Sequence, residues 1–437
     1  MWSRRLAFVA AMFLSSAAQA DEPGEQFIPI AAYWTGPYAA GGTAFGDGMA
    51  DYYDFLNIRD GGINGVKLTY KRCDTAYKVD RIVDCYEKLK AQGPTGAPFF
   101  HPFSTDGTYA IFERAEADRI PVISMGYGRA DAADGRYFPY LFPLLTSYWS
   151  QSTALVRFIG QLEGGLDELK GLKIAVLHHD SVYGRETLPV LETQARKYGF
   201  EFKPFAVGHP GLDQKAVWLQ IARQYKPDYV LLRGWGVMNP TALKEASRVG
   251  FPAEKIIGVW WSGSEEDTRP AGAAAEGYYA AGFHGAGTDF PVIKWMIEHL
   301  YSRGKGAVDE ARVGTIYVNR AIAMAIVGAE AIRDAMKMVG ENRPVTGEEV
   351  QAALEQLTFD RERLERLGAV GLLPEFSITC ADHEGGAPVR FMQWKDDAWT
   401  SASDWIETDQ SIVRPMVEKS AAAYGAEKGI EPRDCAN

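Results

Sequence analysis

Past the first twenty residues, short β-branched or aromatic runs alternate with stretches of helical period. Residues 27–33, 67–72, 97–100 and 121–124 read as strands, and 42–57, 79–92 and 109–118 as the helices between them. A segment rich in Pro and aromatics, 138–145, has no helical period and reads as a crossing segment. The alternation then restarts, with helices over 150–162, 185–198, 215–224 and 240–249, and strands over 172–177, 201–206, 228–233 and 256–260. Residues 277–283 read as a strand whose connection returns to the first series. Helices over 290–303, 313–339 and 346–357 follow, then a β-rich tail with 389–393 and 398–401. This is the pattern of an α/β protein whose parallel sheets carry crossover helices. Two such series predict two Rossmann-like lobes.

The first twenty residues are a different object. Arg4 and Arg5, an apolar run from Leu6 to Leu14 and the small-residue ending Ala18-Gln19-Ala20 are the three parts of a secretory signal peptide, with cleavage expected before Asp21. A membrane span needs about 17–25 apolar residues, and this run is about half that. The best later candidate, 321–329, sits between Arg320 and Glu330 and is also too short to span; it reads as a core helix segment. The remaining chain is expected to be exported, soluble and periplasmic, with no direct membrane insertion.

The 437 residues are 46% hydrophobic and 24% charged, enough to bury a substantial core and to form two or three domains. The formal charge of −11 offers no broad basic surface for a phosphate backbone, so nucleic acid is not an expected partner. Cys73, Cys85, Cys380 and Cys435 are an even number in an exported chain, which predicts disulfides. Of the three possible pairings, Cys73 with Cys85 would tie a strand end to the next helix, and Cys380 with Cys435 would tie down the C-terminal tail. No CxxC spacing is present, so no metal is expected.

Signals for catalysis are weak. The segment from Gly41 to Gly48 follows the first strand, but its spacing is neither GxGxxG nor a phosphate-cradling loop; it reads as a helix start with free backbone N–H groups. There is no GxSxG elbow and no HExxH helix. His178-His179-Asp180 is the nearest thing to an acid/base cluster. Adjacent residues at a strand end point to opposite faces, so one inward and one outward histidine is the expectation. No cofactor is expected, and binding ranks ahead of enzymatic turnover.

Open α/β sheets bind ligands at the C-terminal ends of their strands. Those ends carry Tyr33-Trp34-Thr35, Phe103-Ser104-Thr105, Ser124-Met125-Gly126-Tyr127, the loop to Tyr183, Arg233-Gly234-Trp235 and Trp260-Trp261-Ser262. Of the ten tryptophans left without Trp2, Trp34, Trp149, Trp235, Trp260 and Trp261 lie at these ends or just after the crossing segment, where a ligand-stacking cage would form. Arg233 adds a cation able to grip a carboxylate, and Tyr148 joins the candidates.

These residues carry a resemblance. The turn TGPYA, a helix and then GGINGVKLTY within 28–70 look like the start of the leucine/isoleucine/valine-type periplasmic solute-binding proteins of ABC importers. IPVIS at 120–124, KIAVLHHDSVYG at 173–184, PDYVLLRG at 227–234, a helix ending at Gly250, and AAEGYYAAGF at 274–283 are similar to later blocks of that family, in the same order. The resemblance implies a type I periplasmic-binding fold, two lobes joined by three crossing segments and closing over a small solute. It puts residues 21–143 and 279–358 in one lobe, 144–278 and 359–410 in the other, and leaves 411–437 as a tail. It also implies that Phe103, Ser104 and Thr105 bind a ligand carboxylate, with Ser124, Gly126 and Tyr127 beside them and Tyr183 closing from the second lobe.

Amino-acid binders of the family commonly carry an acidic residue after the strand that ends here at Val259-Trp260, as a partner for the α-ammonium group. Trp261 and Ser262 stand there instead. The expected function is therefore capture of a small apolar or aromatic organic solute and delivery to an inner-membrane permease, by a monomer that is not an enzyme. Branched-chain or aromatic amino-acid binding, with Glu265 or Asp106 serving the ammonium, is the alternative; a ligand-sensing module for a signalling partner is another.

Overall fold

In the computed structural model, which describes residues 24–435, the strands Lys173–His179 and Tyr229–Arg233 are interior neighbours in a seven-stranded sheet. Its order is Ala398–Ser401, Arg390–Lys395, Tyr279–Gly282, Ile256–Gly258, Tyr229–Arg233, Lys173–His179 and Glu201–Val207. The five strands from 173 to 282 pair in parallel, and Arg390–Lys395 runs antiparallel to both neighbours. The sequence YVLLR is buried along its whole length because helices cover both faces of the sheet. Successive residues enter opposite cores: Ala175, Leu177, Val230 and Leu232 pack with Trp218 and Leu243, while Ile174, Val176 and Leu231 pack with Phe158 and Ile159.

The other lobe has a more broken sheet. Gln26–Ile30 pairs in parallel with Leu68–Arg72, and Val122–Ile123 with Leu141–Phe142. The strand expected over 97–100 contributes one bridge, Phe100 to Val122. Two long helices, Ala39–Asp60 and Ile316–Val339, pack against each other over these strands. The second buries almost every side chain from Ile316 to Ile332, so the apolar run at 321–329 is core, as expected.

Several boundaries move. The first helix starts at Ala39, placing Gly41 and Gly42 in its first turn, and the helix expected from 109 starts at Thr105, capped by the Ser104 hydroxyl, which accepts from the Gly107 N–H at 3.1 Å. Tyr279–Gly282 belongs to the seven-stranded sheet, so the segment assigned to the first lobe from 279 begins inside a second-lobe strand. Conversely, the short helix Arg361–Leu367 sits on the long helix of the first lobe, through Arg363 to Asp334 at 2.9 Å and Arg366 to Glu330 at 2.7 Å. The expected tail is a helix, Gln410–Lys428, packed on Tyr148–Glu163 and on residues 130–133. The leader expected at 1–20 lies outside the described residues. Both disulfides form as expected, Cys73–Cys85 and Cys380–Cys435.

Candidate functional site

The site is assembled from strand ends, beginning with two glycines. A Cβ on Gly42 would lie 2.0 Å from the Tyr33 carbonyl oxygen, and one on Gly46 would lie 2.1 Å from the Trp34 ring. Only a bare backbone lets the first helix come this close to the loop after the first strand. Tyr33 thereby points across the cleft, buried, 6.1 Å from the ring of Trp235 in the other lobe. Phe103, at the end of the next loop, holds a left-handed φ of 47° and stacks on Phe45 at 5.6 Å. Phe45 in turn lies 6.4 Å from Trp235 and 5.7 Å from Trp261.

The second lobe supplies the facing rings. Trp261 stacks on Tyr127 at 4.4 Å and meets Trp235 edge-on at 5.4 Å. Trp260 stacks on Tyr148 at 5.4 Å, and Tyr148 leans on Tyr183 at 5.5 Å. The indole N–H groups of Trp260 and Trp261 both donate to the Gly126 carbonyl at 2.7 Å, which ties the two lobes together. Gly126 has a φ of 76°, and a Cβ there would press on Phe283 at 2.8 Å, so glycine is required at this turn. These cross-cleft contacts describe a closed cleft. Beside them a cavity of about 250 Å³ remains, lined by Tyr38, Gly41, Trp235, Val237, Asp267 and Tyr317.

Two guanidinium groups are buried within this aromatic wall. Arg233 lies 4.6 Å from the Tyr148 ring centre and 5.0 Å from that of Tyr183, and donates to the Tyr183 carbonyl at 2.8 Å. Arg320, from the long helix of the first lobe, lies 4.5 Å from the Trp261 ring centre and donates to the Trp260 carbonyl at 2.6 Å and to His284 at 3.0 Å. Burial pushes the Arg320 guanidinium down to about 10, still charged at neutral pH, and pushes the His284 imidazole down to about 3, leaving it a neutral acceptor. Arg233 Nε and Arg320 Nη2 have no partner, and neither arginine has a carboxylate within ion-pair distance among the described residues. The Ser124 hydroxyl and the Trp235 indole N–H are also buried without a partner.

Asp267 is the acid nearest this wall. Its carboxyl accepts from Asn239 at 2.8 Å, from the Ser264 N–H at 3.1 Å and hydroxyl at 2.8 Å, and from Tyr317 at 3.0 Å. Burial pushes it up to about 7 despite these donors. Glu265 caps the start of the long helix, accepting from the Ile316 N–H at 3.0 Å, and Glu266 pairs with Arg312 at 2.6 Å.

Of the expected residues, Tyr33, Phe103, Ser124, Gly126, Tyr127, Tyr148, Tyr183, Arg233, Trp235, Trp260 and Trp261 converge. Ser104 is occupied as a helix cap, and Thr105 accepts from the Gly128 N–H at 3.1 Å. Trp34 faces away, donating to Asp47 at 3.0 Å, and Trp149 donates to the Glu186 carbonyl at 2.8 Å. His178 and His179 are both buried, which corrects the expectation of one inward and one outward ring. The His179 ring lies 3.5 Å from the Tyr38 hydroxyl, which also sits 2.7 Å from His209, so this pair bridges the cleft mouth. Phe45, Tyr317, Arg320 and Asp267 were not anticipated. The one signal for Arg320 and Tyr317 is their i, i+3 spacing at the polar edge of an otherwise apolar helix.

Two α/β lobes closing a ring-lined cleft around buried cations define a solute-binding protein of the type I periplasmic fold. A family model described as periplasmic binding protein matches residues 25–398, and the chain belongs to that family. It is 45% identical to a crystal structure named as an ABC transporter permease from the Pseudomonas fluorescens group, covering 94% of this chain and 100% of that one, with a TM-score of 0.89. A branched-chain amino acid ABC transporter protein from Thermus thermophilus, solved with bound valine, shares the fold at 23% identity, 90% and 99% coverage and a TM-score of 0.73. So does a fatty acid ABC transporter substrate-binding protein from Thermomonospora curvata, at 19%, 90% and 94% coverage and 0.72. No curated protein matches the chain. The family is periplasmic, its members bind solutes rather than transform them, and no helix among the described residues is long and apolar enough to cross a membrane.

Proposed function

We propose that the protein is exported by its leader, works as a monomer in the periplasm, and captures a small apolar or aromatic organic solute in the interlobe cleft for delivery to an inner-membrane ABC permease. The observation that carries this reading is the meeting of Tyr33, Phe45 and Tyr127 from one lobe with Trp235 and Trp261 from the other. A surface of this kind excludes water when closed, so occupancy and closure are coupled, and the closed form is what a permease recognises. The lobes cross near residues 143–147, 283–286 and 384–389, where Ala387 donates its N–H to the Leu145 carbonyl at 2.7 Å and His383 stacks on Phe142 at 4.0 Å.

The valine-bound relative supports an amino-acid reading of the same cleft. Against it, Glu265 is taken up by the long helix and stands outside the ring of aromatics. A thermal-shift screen of the exported protein with amino acids, aromatic acids and short alcohols tests the function, since a ligand stabilises the folded state by RT ln(1 + [L]/Kd). A rise in Tm with any of these classes is expected. No rise with any of them refutes the solute-binding reading.

A further inference from the structure

We infer that the C-terminal helix Gln410–Lys428 is a fourth connection between the lobes, a strap pinned to the first lobe by Cys380–Cys435, which holds the solute-free protein towards its closed form. The chain crosses to the second lobe near residues 384–389 and adds the strands Arg390–Lys395 and Ala398–Ser401 to its sheet. The helix that follows starts on that lobe. The Asp409 N–H donates to the Thr153 hydroxyl at 2.8 Å, and the Asp409 carboxylate accepts from Lys197 at 3.0 Å and Tyr198 at 3.2 Å. Its 19 residues then carry the chain about 28 Å, and the far end lies on the first lobe. There Tyr424 stacks on Phe138 at 4.7 Å and covers the Arg129 guanidinium at 4.3 Å, and Lys428 pairs with Glu113 at 2.7 Å. Arg433 donates to the Gly135 carbonyl at 2.8 Å, and Cys435 closes on Cys380, in a loop whose His383 N–H donates to the Ala133 carbonyl at 2.9 Å.

The middle of the helix lies over the flank where the lobes meet. Val413 and Val417 pack in one apolar cluster with Trp149 and Val190 of the second lobe and Ala130 and Ala133 of the first. Beside this cluster the Glu186 carboxyl, from the second lobe, accepts from the Ala130 N–H at 2.8 Å, and the Ser420 hydroxyl donates to Asp131 at 2.9 Å. Ala130 and Glu186 stand three residues after Tyr127 and Tyr183, so the strap is coupled to the cleft wall through two short loops. Opening the cleft parts Ala130 from Glu186 and splits the cluster, exposing apolar surface that the helix covers on both lobes. Because the disulfide keeps the far end on the first lobe, the helix cannot follow the second lobe outward as a whole.

Hydrogen exchange and small-angle scattering of the solute-free protein test this. Thinning the cluster by one buried valine shifts the closing equilibrium about tenfold. Amides 128–133 are therefore expected to exchange about tenfold faster in Val417→Ala, with a larger radius of gyration, while Tyr229–Arg233 exchanges as in the wild type. Cys380→Ser/Cys435→Ser should act in the same direction, and Cys73→Ser/Cys85→Ser, whose bridge lies within the first lobe, should not. Val417→Ala keeps both disulfides, so it decides alone if the double variant does not fold. Unchanged exchange at 128–133 or an unchanged radius of gyration in either folded strap variant overturns the inference. So does faster exchange that extends equally to Tyr229–Arg233 or appears equally in the Cys73–Cys85 control, since that reports lost stability and not opening. No solute enters the measurement, so its failure leaves the solute-binding reading standing.

Discussion

Trp235→Ala tests whether aromatic contacts hold the cleft shut. Trp235 reaches from the second lobe to Tyr33 at 6.1 Å, Tyr38 at 6.1 Å, Phe45 at 6.4 Å, Tyr77 at 6.0 Å and Tyr317 at 5.8 Å, all in the first. Its indole N–H has no partner, so ring packing alone holds it. The contact with Trp261 lies within the second lobe and survives opening, so it does not count towards closure. Five cross-lobe pairs at roughly 0.5–1 kcal/mol each, with imperfect additivity, give about 3 kcal/mol for closure. That is a change of about a hundredfold in the closing equilibrium. Small-angle scattering, or a dye pair with one label on each lobe, should report a more open average structure for the variant. Trp218→Ala is the control: Trp218 is fully buried in the second-lobe core, and its loss should lower stability by roughly 3–5 kcal/mol without opening the cleft. A Trp235→Ala protein as closed as the wild type refutes the assignment of closure to these rings.

The histidine contact at the cleft mouth makes a signed prediction. Burial, and then the neighbouring His209, pushes His179 down to about 4, whereas the unfolded chain titrates near 6.5. The unfolded state therefore takes up the proton first, and stability present above pH about 6.5 is lost as pH falls towards 4, by about 3 kcal/mol in all. Urea unfolding of His179→Gln should show a correspondingly shallower decline over that window; parallel wild-type and variant curves would disprove it. Reducing the disulfides should lower stability by about 3 kcal/mol for Cys73–Cys85 and about 4 kcal/mol for Cys380–Cys435, whose sequence separations are 12 and 55. Separate Cys→Ser pairs followed by denaturant unfolding check the order, and equal losses contradict the loop-length account. Gly42→Ala places a Cβ against the Tyr33 carbonyl and should cost roughly 1–3 kcal/mol while weakening ligand binding through Tyr33. Unchanged stability and affinity would show that the helix can move aside.

Much of the site was legible because strand ends are local. YVLLR followed by Gly-Trp announces a buried strand and then a loop, and Arg233 and Trp235 are both buried at its end. Trp34 and Trp149 occupy equally local positions and still turn away, since a strand-end loop does not specify which of its rings crosses the cleft. Arg320 was illegible for a further reason. It sits some sixty residues from Trp260, on a helix whose own pattern reads as plain core, and acquires meaning only when Trp260 and His284 close on it.

Periodicity and the strand-end composition determined on their own the α/β class, the two-series layout and most of the aromatic wall, because each depends on neighbours within a turn or a loop; the even cysteine count predicted disulfides and left three pairings, between which the tertiary structure decided. Tertiary structure alone decided that Tyr279–Gly282 joins the second sheet, that the last residues form a packed helix, and that Asp267 accepts from Asn239, Ser264 and Tyr317 while Arg233 and Arg320 each keep an unpartnered nitrogen. Strand pairing, burial and the pairing of charges depend on what distant segments bring within about 4 Å, and a one-dimensional pattern does not encode that distance.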